Sequence, residues 1–350
     1  MRYTTLCCVL LGPMLAACSP ASADLQVGDI APELTIDEWV QGSKVDLAKD
    51  VARKFHMIEF WAVWCPPCKA SVPLLTKYQQ KYADDLVIVG VTDPDTGSNS
   101  PREIRRFVKQ QGPNMSYTVA MDRKGKTSAA YLPMSGVVGI PHAFIIGKDR
   151  KVLWEGSPLD PALESIIPRA IAGEYSVETA RLEQKIAKMM SELDFMAQMG
   201  EWDKVWDGLI EILNLDPQNG DAMGALVITT VETNRDGKFR DWARSHIDKH
   251  KKNAPAMRRL ADTLTSIADF QHRFPDLALE AARAAHGSSK KPDAGALAVY
   301  ARALYQVGAL DRAIALQQDA VSVATNDERE FLRGTLEYYR NCKKLQGTVE

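Results

Sequence analysis

Cys65 and Cys68 stand in the run Trp61-Ala62-Val63-Trp64-Cys65-Pro66-Pro67-Cys68-Lys69. Two thiols at this spacing can cycle between dithiol and bridge, hold a metal, or staple the chain. Zinc asks for four ligands, and no second Cys-x-x-Cys or matched histidine pair accompanies this one. Covalent haem attachment asks for histidine after the second cysteine, and position 69 is Lys. One close pair and a distant Cys342 cannot brace a chain of 350 residues, so redox chemistry explains the pair better than stabilisation does. This reading calls for no metal and no cofactor.

The flanking elements are suited to position such a pair. Phe55 to Ala62 is apolar apart from His56 and Glu59, as expected of a strand buried on both faces. Cys65 to Tyr82 has helical spacing, with Val72, Leu75, Tyr78 and Tyr82 on one side. Pro66 and Pro67 fall in its first turn, where a missing N–H costs least. Leu86 to Thr92 reads as a second buried strand, and Ser100-Pro101-Arg102-Glu103 as a capping box opening a helix through Gln111. A short helical turn is predicted at Thr127 to Tyr131. A hairpin follows, with strands His142 to Ile146 and Val152 to Glu155, and then a helix from Asp160 to Ala172. The order predicts an α/β layered domain with a mixed sheet over residues 24–173.

With the strand, the WCxxC run, the helix and the later Gly139-Ile140-Pro141-His142, residues 25–173 resemble the thioredoxin family, in particular its TlpA/ResA-type thiol–disulfide oxidoreductases. The resemblance implies a thioredoxin-like fold and an enzyme that exchanges disulfides with client proteins through Cys65 and Cys68. It implies that Pro141 is cis and faces the disulfide, so that the Ile140 backbone meets an extended substrate beside Trp64, Pro66 and Pro67. It also places an acid, Glu59, beneath the second cysteine. A membrane dithiol is the electron donor expected by analogy.

At a helix N-terminus the Cys65 thiol is favoured as thiolate. Exposed at the domain edge, it would attack a client disulfide, and Cys68, deeper by one turn, would then displace the client. Burial would raise the Glu59 pKa and fit it to take the Cys68 proton, the alternative being a structural carboxylate satisfied by water or backbone. The lysine that related thioredoxins carry near this acid is missing from Leu86 to Thr92. Two prolines leave the Cys68 N–H as the nearest donor to Cys65, which predicts a reductase rather than a strong oxidant. Trp61 reads as core, His142 as a satisfied structural histidine and Cys342 as an inert thiol.

Arg2 precedes an apolar stretch from Leu6 to Ala17, which predicts a signal peptide over residues 1–23. Leu15-Ala16-Ala17-Cys18 resembles the lipobox of bacterial lipoproteins, implying lipidation at Cys18; Ala21-Ser22-Ala23 offers a competing cleavage site. Either way the expected location is the periplasm or cell envelope.

Residues 174–350 are read as helical throughout. Gly200, Gly237, Arg273 and Gly308 recur at intervals of 37, 36 and 35 residues. Around Gly308, Tyr305, Leu310, Ala313 and Ala320 resemble the tetratricopeptide pattern, as do Trp202, Val205, Ile212 and Pro217 around Gly200. Four helix pairs and a closing helix from Asp327 to Cys342 are expected, with a protein partner as the implied ligand.

Lys plus Arg is 43 and Asp plus Glu 45, a net charge of −2 that gives no reason to propose nucleic acid as a partner. A thiol peroxidase of the peroxiredoxin kind would carry Thr or Ser at position 62 and Pro at 58, where Ala62 and Ile58 stand. An interaction scaffold with a secondary redox domain is the competing reading from a different class.

Overall fold

The structure is a computed structural model that describes residues 25–95, 97–132, 139–267, 272–289 and 293–346. Cys18 and the segment 1–23 therefore lie outside the described residues. The chain divides into two units, the first ending at Arg181 and the second beginning at Leu182.

The first unit is built on a mixed sheet of β1 (Glu38–Gln41), β2 (Phe55–Phe60), β3 (Leu86–Thr92), β4 (Thr118–Met121), β5 (His142–Ile146) and β6 (Val152–Gly156). Its strand order is β1-β4-β3-β2-β5-β6. β2 and β3 run parallel, as do β3 and β4, whereas β1, β5 and β6 pair antiparallel. Every residue of β2 is buried, because the strand is central and covered on both faces. Flanking helices are α1 (Leu47–Asp50), α2 (Pro66–Lys81), α3 (Pro101–Gln111), α4 (Lys126–Tyr131) and α5 (Leu163–Ile171). Phe60, Tyr131 and Phe144 meet at ring separations of 5.3 to 6.2 Å in the core between sheet and helices.

α6 (Val177–Gln198) starts in the first unit and runs into the second, which continues as α7 (Trp202–Leu215), α8 (Gly220–Thr233), α9 (Asp236–His250), α10 (Ala254–Thr265), α11 (Pro275–Ser288), α12 (Ala294–Gln306), α13 (Leu310–Val323) and α14 (Asn326–Gln346). Small residues allow close helix approach: Ala256, Ala261, Ala278, Ala281, Ala301, Ala303 and Ala313 are all fully buried. Asn219, Asn253 and Asp293 cap α8, α10 and α12, each side chain accepting from the backbone N–H three residues on. The expected anchors are only partly equivalent. Gly200 and Gly308 turn between paired helices with φ near +75 to +79°. In the next pair Asn234 takes that conformation at φ +52°, and Gly237 lies inside α9.

The fold class is thus the expected one, a thioredoxin-like mixed sheet flanked by helices and followed by an all-helical region. No helix of the described residues is long and apolar enough to cross a membrane.

Candidate functional site

β2 ends at Phe60, the chain turns through Ala62 to Trp64, and α2 begins at Pro66 with Cys65 as its N-cap. Pro66 and Pro67 occupy the first two helical positions, so neither withholds a hydrogen bond the helix needs. Cys65 and Cys68 are joined by a disulfide, with their Cα atoms 5.3 Å apart. The Cys68 N–H donates to Cys65 Sγ over 3.2 Å, the donor that the two prolines leave available. The expected exposure of Cys65 is not found: it is 2% exposed and Cys68 1%. In the bridged state Cys65 Sγ is turned inward, 3.5 Å from the Ile140 carbonyl oxygen. The Ile140–Pro141 peptide is cis. Trp64, 54% exposed, is the accessible aromatic surface beside the sulfurs.

Glu59 lies on β2, paired with Gly90 of β3 and Ala143 of β5, and is 1% exposed. Burial without a counter-charge pushes its pKa up to about 8, with a smaller opposing effect from the Ser71 hydroxyl. At neutral pH the carboxyl is therefore mostly protonated in the bridged protein. Ser71 Oγ stands 3.4 Å from Glu59 Oε1 and donates to the Cys68 carbonyl oxygen at 2.8 Å. One hydroxyl thus touches both the backbone of the second cysteine and the buried acid. Glu59 Oε2 has no hydrogen-bond partner among the described residues.

Two residues of this neighbourhood are not legible from sequence. Ser71 gives only a weak signal, a serine three residues after a cysteine inside a helix. Asn99 gives none, being one polar residue in a loop. It is buried, accepts from the Val63 N–H at 2.8 Å, and donates to Thr92 Oγ1 at 3.0 Å and the Asp93 carbonyl at 2.7 Å. It thereby holds the turn before Trp64 and Cys65 against the end of β3.

The remaining sequence candidates fall as follows. Trp61 is core, its ring 5.5 Å from that of Phe107. His142 Nε2 sits 3.3 Å from Glu155 Oε2, and its ring lies against Phe144. Cys342 is half-buried in the second unit, 3.8 Å from the Tyr305 hydroxyl.

The Redoxin family profile matches residues 26–166. Thiol-disulfide oxidoreductase ResA of Bacillus thuringiensis subsp. konkukian is 30% identical over 131 residues, covering 37% of this chain and 69% of that protein. Thioredoxin-like protein YneN of Bacillus subtilis is 31% identical over 117 residues, covering 33% and 65%. Among solved structures, a thiol:disulfide interchange protein of the thioredoxin family from Chlorobium tepidum is similar at 24% identity and a TM-score of 0.34. It covers 43% of this chain and 99% of its own.

Proposed function

This chain belongs to the ResA-type thiol–disulfide oxidoreductases, and on that premise we propose that it is an exported reductase of client disulfides working through Cys65 and Cys68. The observation that carries the reading is a disulfide closed across the first turn of α2, with a buried, uncompensated carboxyl linked to it through Ser71.

In the reduced enzyme the Cys65 thiolate attacks one sulfur of a client disulfide, and the other client sulfur leaves as a thiolate. Cys68 gives its proton to the Glu59 carboxylate. The new Cys68 thiolate attacks Cys65 Sγ, the second client sulfur departs as a thiolate, and the enzyme is left bridged with Glu59 protonated. Two electrons from an outside dithiol, here a membrane dithiol donor, reset the pair. Trp64 and the Ile140–Pro141 backbone flank the bridge and form the client-binding rim with Pro66 and Pro67.

Direction follows from the scarcity of donors to Cys65: a thiolate with few N–H partners is less stabilised, which favours the bridge and makes the dithiol a reductant. A reduction potential near that of strong oxidants, about −120 mV, would overturn this. Residues 1–23 act as export signal, with lipidation at Cys18 or cleavage after Ala23, and the working location is the periplasm or cell envelope. Residues 24–173 form the redox domain. Residues 174–350 form a tetratricopeptide-like array that holds a protein partner. A cavity of about 760 Å³ lined by Arg302, Tyr305, Gln306, Tyr338 and Tyr339 supports that role.

The test is to express the full chain carrying Cys68→Ala and recover what it traps. Client proteins bound through Cys65 and released by reductant are the expected result. A Cys68→Ala chain that accumulates no mixed disulfides, beside a wild type that does not reduce insulin, would overturn the assignment.

A further inference from the structure

Gly90 is a puzzle in the middle of β3, since glycine weakens a buried strand and leaves no side chain to pack. Its neighbours explain it. A methyl group placed on Gly90 would lie 3.1 Å from Trp61 Nε1, 3.1 Å from Tyr117 Cε2 and 3.3 Å from Glu59 Oε2. Three buried polar side chains therefore converge on one point beside the strand backbone. Among the described residues, Glu59 Oε2, the Trp61 indole N–H and the Tyr117 hydroxyl all lack hydrogen-bond partners. Buried polar atoms are nearly always paired, so three unpaired groups on side chains that meet beside Gly90 call for an explanation.

We propose that Trp61 and Tyr117 are positioning residues for Glu59, supplying the N–H and O–H that hold its carboxylate when it must be ionised to take the Cys68 proton. The proposal rests on the assignment of Glu59 as the base for Cys68. It accounts for both states of the cycle. In the bridged enzyme Glu59 carries a proton, no anion asks for donors, and the indole and phenol stay idle. In the reduced enzyme the carboxylate is charged in a place with no cation. A rotation of the Glu59 side chain, or one water between the groups, brings Oε2 onto the two donors.

The groups facing Glu59 are few. From α2 comes Ser71, from β3 only Gly90, from β5 the apolar Ala143, from the turn after β2 Trp61, and from the segment entering β4 Tyr117. No other charged side chain of the described residues acts on it. Tyr117 in turn feels Glu59: the surrounding burial, with the Glu59 charge adding to it, holds the phenol above its ordinary range. It therefore stays a hydrogen-bond donor throughout the working pH range.

The test uses the full chain, reduced and then oxidised by glutathione disulfide, with the rate of mixed-disulfide resolution followed against pH. Trp61→Phe and Tyr117→Phe are each expected to move the rising limb up by about one pH unit and to slow resolution at pH 7 by about tenfold. Alkylation of the Cys65 thiolate, which does not involve Glu59, should keep its wild-type rate in both. The infrared carbonyl band of protonated Glu59 in the bridged chain should disappear at a higher pH in both variants than in the wild type. Glu59→Gln separates the positioning role from the base assignment beneath it. A wild-type profile in Glu59→Gln would sink the base assignment itself. A lost limb there, with wild-type midpoints in Trp61→Phe and Tyr117→Phe, would sink the positioning role alone. Should Trp61→Phe not fold, Tyr117→Phe, which retains the ring and its packing, decides between the two outcomes.

Discussion

Asn99 in the first unit and Asn253 in the second both commit a side-chain oxygen to a backbone N–H, but over different lengths of chain. Asn253 caps its own helix, accepting from Ala256 three residues later. Asn99 accepts from Val63, 36 positions away, and donates into the end of β3. The same contrast runs through both units. The surroundings of the Cys65–Cys68 bridge and of Glu59 are assembled from β2, the turn before α2, the loop ahead of α3, the segment entering β4 and the Ile140–Pro141 peptide. The array is a succession of neighbours, capped at near-regular intervals and stitched by surface ion pairs such as Arg235–Asp203 and Arg302–Asp262. A site of the first kind can hold a carboxyl far from its ordinary protonation equilibrium, because many distant segments together exclude water from it. An all-helical succession of neighbours offers surface and tolerates change one helix pair at a time.

The largest effect that would sharpen this contrast is Cys65→Ser, which should abolish disulfide turnover while leaving unfolding of the array unchanged. Its counterpart, Leu260→Ala in the fully buried core of the array, should cost about 2–5 kcal/mol of stability and leave the single-turnover rate intact. Stopped-flow kinetics and urea unfolding on the full chain measure both. A slower chemical step in Leu260→Ala would break the separation.

Asn99→Ala comes next. It leaves the Val63 N–H unpaired at the turn before Cys65, and mixed-disulfide formation should slow by about tenfold. Asn99→Asp, which keeps the acceptor but loses the two donations, should recover part of the rate. Equal rates in all three proteins would mean that the turn needs no clamp.

The smallest effect is in the array. His246 is buried between Trp242 and His250, and desolvation, with the His250 charge adding to it, depresses its pKa to about 4. The unfolded chain protonates this ring below about 6.5, whereas the folded chain resists until about 4. Its stabilising contribution is therefore whole above 6.5 and is lost as pH falls toward 4, about 3 kcal/mol in all. His56 in β2 is shifted in the same direction by burial. His246→Phe should flatten the array's share of this decline in urea titrations at pH 7 and pH 5. An unchanged slope would mean that the ring is already charged in the folded state.

Much of the fold is legible where the pattern is long or chemically unusual. Leu86–Thr92 has the bounds its apolar run predicts, and the Ser100 cap, the hairpin around Gly147 and the helix after Cys65 all stand where spacing puts them. β1 and β4 escape because each has four residues, too few for alternation to rise above chance, and β1 is only half-buried along its length. The burial of Cys65 escapes for another reason. Whether a cysteine at a helix start is open depends on the Ile140–Pro141 segment, 75 positions away, reaching across it.

The residue order by itself determined the chemistry available: two thiols on one helical turn, a carboxyl six residues earlier in an apolar strand, and prolines that thin out the donors around the first sulfur. These are local matters of spacing and hydrophobic pattern, and local rules reach them. How far the electrostatics of the site are shifted was a matter of the folded structure. Glu59 is raised to about 8 because β3, β5 and α2 remove its water without bringing a cation, and the missing side chain of Gly90 leaves room there for the Trp61 and Tyr117 rings. Desolvation is a sum over everything that surrounds a group, so the apolar run around position 59 gave the upward direction of the shift, while its size depends on the segments packed around the carboxyl.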